Sequence, residues 1–175
     1  MSMKGQYFSF DAIIATVIMV LAFSSLVAYW YGAQAVVESR NYSRLADANR
    51  IAESLLSPGS PSDWNQLSYT YQIRQLGIAT SFGNELDMAK VDALVANANP
   101  NAGGNYAEMG NLLRAGGDYF ILIQQSDVSS GGMERVIGKI YPSNASYVVV
   151  ANRGVTFRDA DGNSRPARMR VFLWK

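Results

Sequence analysis

Cysteine and histidine are both absent from the 175 residues. Without them the chain has no disulfide, no thiol nucleophile, no zinc site of the usual ligand set and no imidazole base. A Ser–His–Asp triad is excluded with the histidine. The lack of cysteine does not fix the compartment, because a domain with enough apolar core needs no disulfides. An excess of charge of one sign is missing as well. Lys and Arg number 15 against 14 Asp and Glu, a net charge of +1. No dense basic run is present to follow a phosphate backbone, so nucleic acid is not expected as a partner. The length leaves room for one membrane helix and one domain of the usual ~100–150 residues.

What the chain does have is a long apolar run. From Ala12 to Tyr31 it reads AIIATVIMVLAFSSLVAYWY. As a helix this run is about 30 Å long, the thickness of a bilayer's hydrocarbon layer. Thr16, Ser24 and Ser25 interrupt it only mildly, since their hydroxyls can bond back to helical carbonyls. Tyr29, Trp30 and Tyr31 stand where an interfacial aromatic belt would lie. Lys4 precedes the run, which places the N-terminus in the cytoplasm and everything after about Glu38 outside it. The run is too long for the core of a secretory signal peptide, and no A-x-A site follows it. Asp11 at its edge is costly near bilayer depth unless a cation meets it.

The helix is expected to continue. Val37, Leu45, Ala48, Ile51, Ala52, Leu55 and Leu56 recur at three- and four-residue spacing, with Arg40, Arg44, Asp47 and Glu53 between them. Ser57, Pro58, Gly59, Ser60 and Pro61 then stop it. Only Gly32 interrupts 7–56, so one helix of about 50 residues and about 75 Å is predicted, apolar all round in its first half and amphipathic in its second.

Lys4-Gly5-Gln6, followed by Ser9, Asp11 and the apolar run, resembles the start of archaeal type IV pilin-like proteins with a class III signal peptide. That family's prepilin peptidase cuts after a glycine preceded by a basic residue. The resemblance implies cleavage between Gly5 and Gln6, with 1–5 as leader. It also implies an acidic residue near the fifth mature position. Asp11 is sixth counting from Gln6, and fifth if the cut falls after Gln6. The new α-amino group would be a cation at the head of an apolar helix, where Asp11 of a neighbouring subunit can meet it. Such a helix suits lipid before assembly and a filament core afterwards, since both are dry.

Beyond a linker at 57–68, residues 69–175 mix short strands with two short helices, an α+β pattern. Strands are predicted at 69–73 and 76–79, at Asp118 to Gln125, at Glu134 to Tyr141, at Ser146 to Phe157 and at Ala167 to Trp174. A helix capped by Asn84 should run to Val95, and a second from Tyr106 to Ala115 should close at Gly116-Gly117. The fold class is thus α+β: a long N-terminal helix packed on a mainly antiparallel sheet of four or five strands. The fifth strand would come from the segment around Ile73. A β-sandwich of the archaellin type leaves no place for the two helices.

Site chemistry is sparse. Asp159-Ala160-Asp161-Gly162-Asn163 spaces oxygen ligands as a calcium loop does, but Ser164 and Arg170 stand where an EF-hand needs Gly and Glu. A hairpin turn on Asp161-Gly162 is the reading. The glycine pairs lack any phosphate-binding pattern. No enzyme activity, metal or cofactor is expected. Asn41-Tyr42-Ser43 and Asn144-Ala145-Ser146 are N-glycosylation sequons, Asn144 the better placed. Trp30, Trp64 and Trp174 are expected at interfaces and in the core, with carbohydrate stacking the alternative for Trp64. The leading function is a structural subunit of a homo-oligomeric extracellular filament. It would be handled by a prepilin peptidase and pilus assembly machinery and be held in the cell membrane before assembly. The alternatives are a tethered extracellular binding module and a minor pilin-like component of a secretion or adhesion machine.

Overall fold

A computed structural model describes the backbone of residues 4–174 apart from 68–69, 82, 102, 127–131, 141, 144, 146 and 160, and side chains from Phe10 onward. Helix α1 runs from Lys4 to Leu55 without a break. The chain divides into two compact units, residues 1–40 and 41–175. The first is helix throughout its described length.

The second unit is α+β. Besides the end of α1 it contains α2 (Met88–Ala98), α3 (Tyr106–Leu113) and strands β1 (Glu85–Leu86), β2 (Asp118–Gln125), β3 (Glu134–Gly138), β4 (Val149–Arg158) and β5 (Ser164–Trp174). Among the described residues the strands form one sheet in the order β1-β4-β5-β2-β3, antiparallel except for the β1–β4 pair. Period-two alternation decides which face is inside. Tyr119, Ile121 and Ile123 of β2 stand opposite Leu173, Val171 and Met169 of β5, and all six are buried. Ala48, Ile51, Ala52 and Leu55 of α1 join this core with no exposed surface. Their three- and four-residue spacing gives the helix one apolar stripe. On the same face Arg153 of β4 reaches Glu53 of α1 at 2.8 Å, and Arg135 of β3 reaches Asp92 of α2 at 2.7 Å. Both pairs are partly exposed and orient the helices more than they stabilise them.

The segment 69–79 departs from expectation. Thr70–Gln72 is a single 3-10 turn, and of Leu76 to Ala79 only Ala79 meets the sheet, through one antiparallel bridge to Leu86 of β1. Its backbone is used to close the end of α1: Ile78 N–H donates to Leu55 O at 2.8 Å and Ala79 N–H to Ser57 O at 3.1 Å. These bonds satisfy carbonyls that a helix end leaves open. The fifth strand is therefore β1, two residues pairing parallel with Thr156 and Phe157. For the same reason Asn84 is not a cap. Its carbonyl accepts from Thr156 N–H at 2.8 Å, and Asp87 caps α2 by accepting from the amides of Ala89 and Lys90. Helix α3 ends earlier than predicted, on Arg114 in the left-handed conformation (φ 53°), before Gly116 is reached. β3 stops at Gly138 and β5 begins at Ser164.

The end of α1 is gathered into a tight collar. Trp64 is 2% exposed, and its indole N–H donates to Gly77 O at 2.7 Å. That places Trp64 in the core and removes the carbohydrate-stacking alternative. Lys90 is 5% exposed, and its ammonium donates to Pro58 O at 2.9 Å and Ala79 O at 3.3 Å. A β-carbon on Gly77 would lie 2.1 Å from Ser57 O and 2.4 Å from Gly59 N, so only glycine fits there.

Candidate functional site

The feature of the first unit is apolar surface. Eleven large apolar side chains from Phe10 to Val27 are 43–65% exposed, with Val17, Ile18, Met19, Val20 and Leu21 consecutive and covering every face. Burying such a side chain is worth about 1.5–3 kcal/mol, so the run carries roughly 15–30 kcal/mol of unused burial. That is too much to leave in water. The helix is long and apolar enough to cross a membrane, and none of its apolar window is buried within the chain. Thr16 donates to Ala12 O and Ser25 to Leu21 O, both at 2.8 Å, so these hydroxyls do not oppose a dry environment. Tyr29, Trp30 and Tyr31 follow, 63–76% exposed.

Asp11 lies at the N-terminal edge of this surface and is exposed. Gly5 and Gln6 are in the first turns of α1, and nothing is described of their side chains. Asn41 is exposed on α1. Asn144 lies outside the described residues. The structure thus sets Asp11 beside the apolar run but does not bring the sequence-derived site residues together. Each belongs to a surface rather than to a cleft.

On the second unit several titratable groups are occupied by structure. The Asp159 carboxylate accepts from the amides of Asp161 (3.1 Å) and Asn163 (2.8 Å) and pairs with Arg165 at 2.8 Å. The Arg165 hydrogen bond, then the amides, hold its carboxyl below the usual range. With Gly162 at φ +82° this makes a β4–β5 hairpin loop whose first carboxylate is already spent. The Tyr106 and Tyr119 rings stack at 4.6 Å. Burial, followed by the neighbouring Asp118, pushes the Tyr106 hydroxyl up to about 12, and burial raises Tyr119 too. Asp118 also pairs with Lys139 at 2.8 Å. An open groove of about 620 Å³ is lined by Arg50, Arg74 and Arg114 among others. Arg50 is committed to the last carbonyls of α3, Leu113 O at 3.2 Å and Arg114 O at 2.7 Å. Among the described residues no group of three or more metal-ligating side chains converges.

No protein-family model, curated protein sequence or solved structure matches the chain. Its architecture is pilin-like: a long N-terminal helix, apolar in its first half, whose last turns pack on a mixed, mostly antiparallel sheet.

Proposed function

We propose that the chain is a structural subunit of an extracellular type IV pilus-like filament, assembled through the apolar half of α1. One observation carries the reading. The second unit closes a complete core with the last turns of α1, while the apolar surface from Phe10 to Val27 stays uncovered. A domain that needs nothing from that surface leaves it for another occupant. Lipid serves for the precursor in the cell membrane, and the same helix of other copies serves in the filament. The class III-like Lys4-Gly5-Gln6 start supports passage from one to the other, through a prepilin peptidase and an assembly machinery. The Asp11 carboxylate then meets the new α-amino group of a neighbour, which offsets its desolvation. The role is structural, with surface adhesion the simplest use of such a filament.

N-terminal sequencing of assembled material tests the reading: a start at Gln6 or Tyr7 is expected, and an intact Met1 or Ser2 refutes it. Asp11→Ala should abolish filaments while leaving the precursor in the membrane. A tethered binding module would instead be extracted as a monomer, with no response to Asp11→Ala.

A further inference from the structure

We propose that the groove beside the end of α1 binds the acidic sugar units of an extracellular polysaccharide, with their carboxylates held by Arg74 and Arg114. The inference goes beyond the filament reading and rests on it only for the second unit facing outside the cell. Every lining residue lies between Arg50 and Arg114, within that unit. The groove brings three arginines together with one carboxylate, Glu53, among the described residues. Glu53 is taken by Arg153 at 2.8 Å. Arg50 divides its guanidinium between Asp47 at 3.4 Å and the carbonyls that end α3. Arg74 and Arg114 are exposed and have no side-chain hydrogen bond or ion pair among the described residues. Two positive charges are thus left on the lining without an anion, and a cleft of one sign concentrates ions of the other.

The fold does not need the Arg114 side chain. Arg114 ends α3 at φ 53°, a left-handed position that favours Gly or Asn. Its backbone does the capping: the N–H donates to Asn111 O at 3.0 Å, and the carbonyl accepts from Arg50 at 2.7 Å. Glycine would serve that backbone with less strain, so what arginine adds there is its guanidinium. The size and chemistry of the lining narrow the ligand. A volume of about 620 Å³ suits a small organic molecule and is far more than one inorganic anion fills. None of the lining residues belongs to a strand of the sheet, so there is no edge to pair with a peptide backbone. The Asn84 side-chain amide is unpaired among the described residues. Gln75 gives its side-chain NH2 to Ser54 and Ser57, at 3.3 and 3.1 Å, and keeps its oxygen free to accept. These amides suit sugar hydroxyls, the planar guanidinium forks suit carboxylates, and half-buried Leu112 offers an apolar patch to a ring's C–H face. Because the groove is open, such a unit can sit within a longer chain.

Isothermal titration of the full-length chain in a non-ionic detergent tests the site, with a short oligogalacturonate as probe and a neutral galactan oligomer of the same length as control. Wild type should bind the acidic oligomer and not the neutral one. Arg74→Gln and Arg114→Gly should each weaken binding by about tenfold or more, since each removes a charge-assisted hydrogen bond. Arg168→Gln removes an exposed charge that lies on β5 outside the groove, and should change affinity by less than about twofold. Arg114→Gly should unfold in urea no earlier than wild type, so that its lost affinity is not lost fold. Three results overturn the site: no binding by wild type, equal binding of the neutral oligomer, or a loss in Arg168→Gln equal to that of the groove variants. Filaments formed by a chain that binds no oligogalacturonate leave the filament reading standing without the site. A wild-type chain that binds but never assembles does the reverse.

Discussion

Gly77→Ala should destabilise the second unit, and the size of the effect follows from the collar around the end of α1. The new methyl would meet backbone atoms of Ser57 and Gly59, which cannot rotate away as a side-chain tip can. Relief requires the 57–59 turn and the 77–79 segment to separate. That strains three bonds: the Trp64 indole to Gly77 O, Ile78 N–H to Leu55 O and Ala79 N–H to Ser57 O. At a net ~0.5–1.5 kcal/mol each, their loss costs about 1.5–4.5 kcal/mol. Replacing glycine stiffens the unfolded chain and returns about 0.4–1 kcal/mol. The net expectation is a loss of roughly 1–4 kcal/mol. Gly154→Ala is the control, since a β-carbon there has no atom within 4 Å and the substitution should be neutral or slightly stabilising. Urea unfolding of the full chain in detergent, followed by tryptophan fluorescence, reads both, because Trp64 and Trp174 are buried in this unit. Equal midpoints for Gly77→Ala, Gly154→Ala and wild type would refute the collar as a stabilising element.

Lys90→Met should cost about 2–4 kcal/mol, because a buried and a half-buried carbonyl lose a charged donor while the apolar stem is largely preserved; the same urea titration checks it. Stability should also fall in strong alkali. The Tyr106 proton is held to about 12 in the folded unit and leaves near 10 when unfolded. Between those values the unfolded state binds fewer protons, so its contribution, present in full below pH 10, is lost as the pH rises through about 12. Tyr106→Phe should flatten this alkaline slope, and ultraviolet titration of the phenolate gives the ionisation directly.

Much of the fold was legible because its strongest local signals agree with the tertiary structure. Asp118–Gln125 was predicted with both ends correct, since a continuous apolar run leaves little choice but a buried strand. The stop of α1 was equally clear from Ser57-Pro58-Gly59-Ser60-Pro61. The misses share one cause, that local chemistry was satisfied by a distant partner. Leu76 to Ala79 has strand composition, yet its amides answer the open carbonyls of Leu55 and Ser57, a demand set by a helix end some twenty residues away. Asn84 and Asp87 are both good caps, and Asn84 lost because Thr156 takes its carbonyl. Trp64 sits among turn residues, and only the fold reveals that Gly77 O and the core await its ring.

In the proposed filament, affinity and register would be supplied by different parts of α1. The roughly 15–30 kcal/mol of unused apolar burial between Phe10 and Val27 is ample for association, but it is nearly the same for any stagger, because every face is apolar. The proposed Asp11–amine contact, worth far less, would be sharply dependent on stagger, since a one-turn slip of about 5.4 Å separates the pair. On the proposed reading, apolar burial holds copies together and charge chooses their offset, the usual division between strength and specificity in protein contacts. It follows that raising the ionic strength should leave the membrane-held precursor unaffected. Assembly of the proposed filament should weaken only slightly, because the Asp11 pair would lie among apolar side chains where salt screens less.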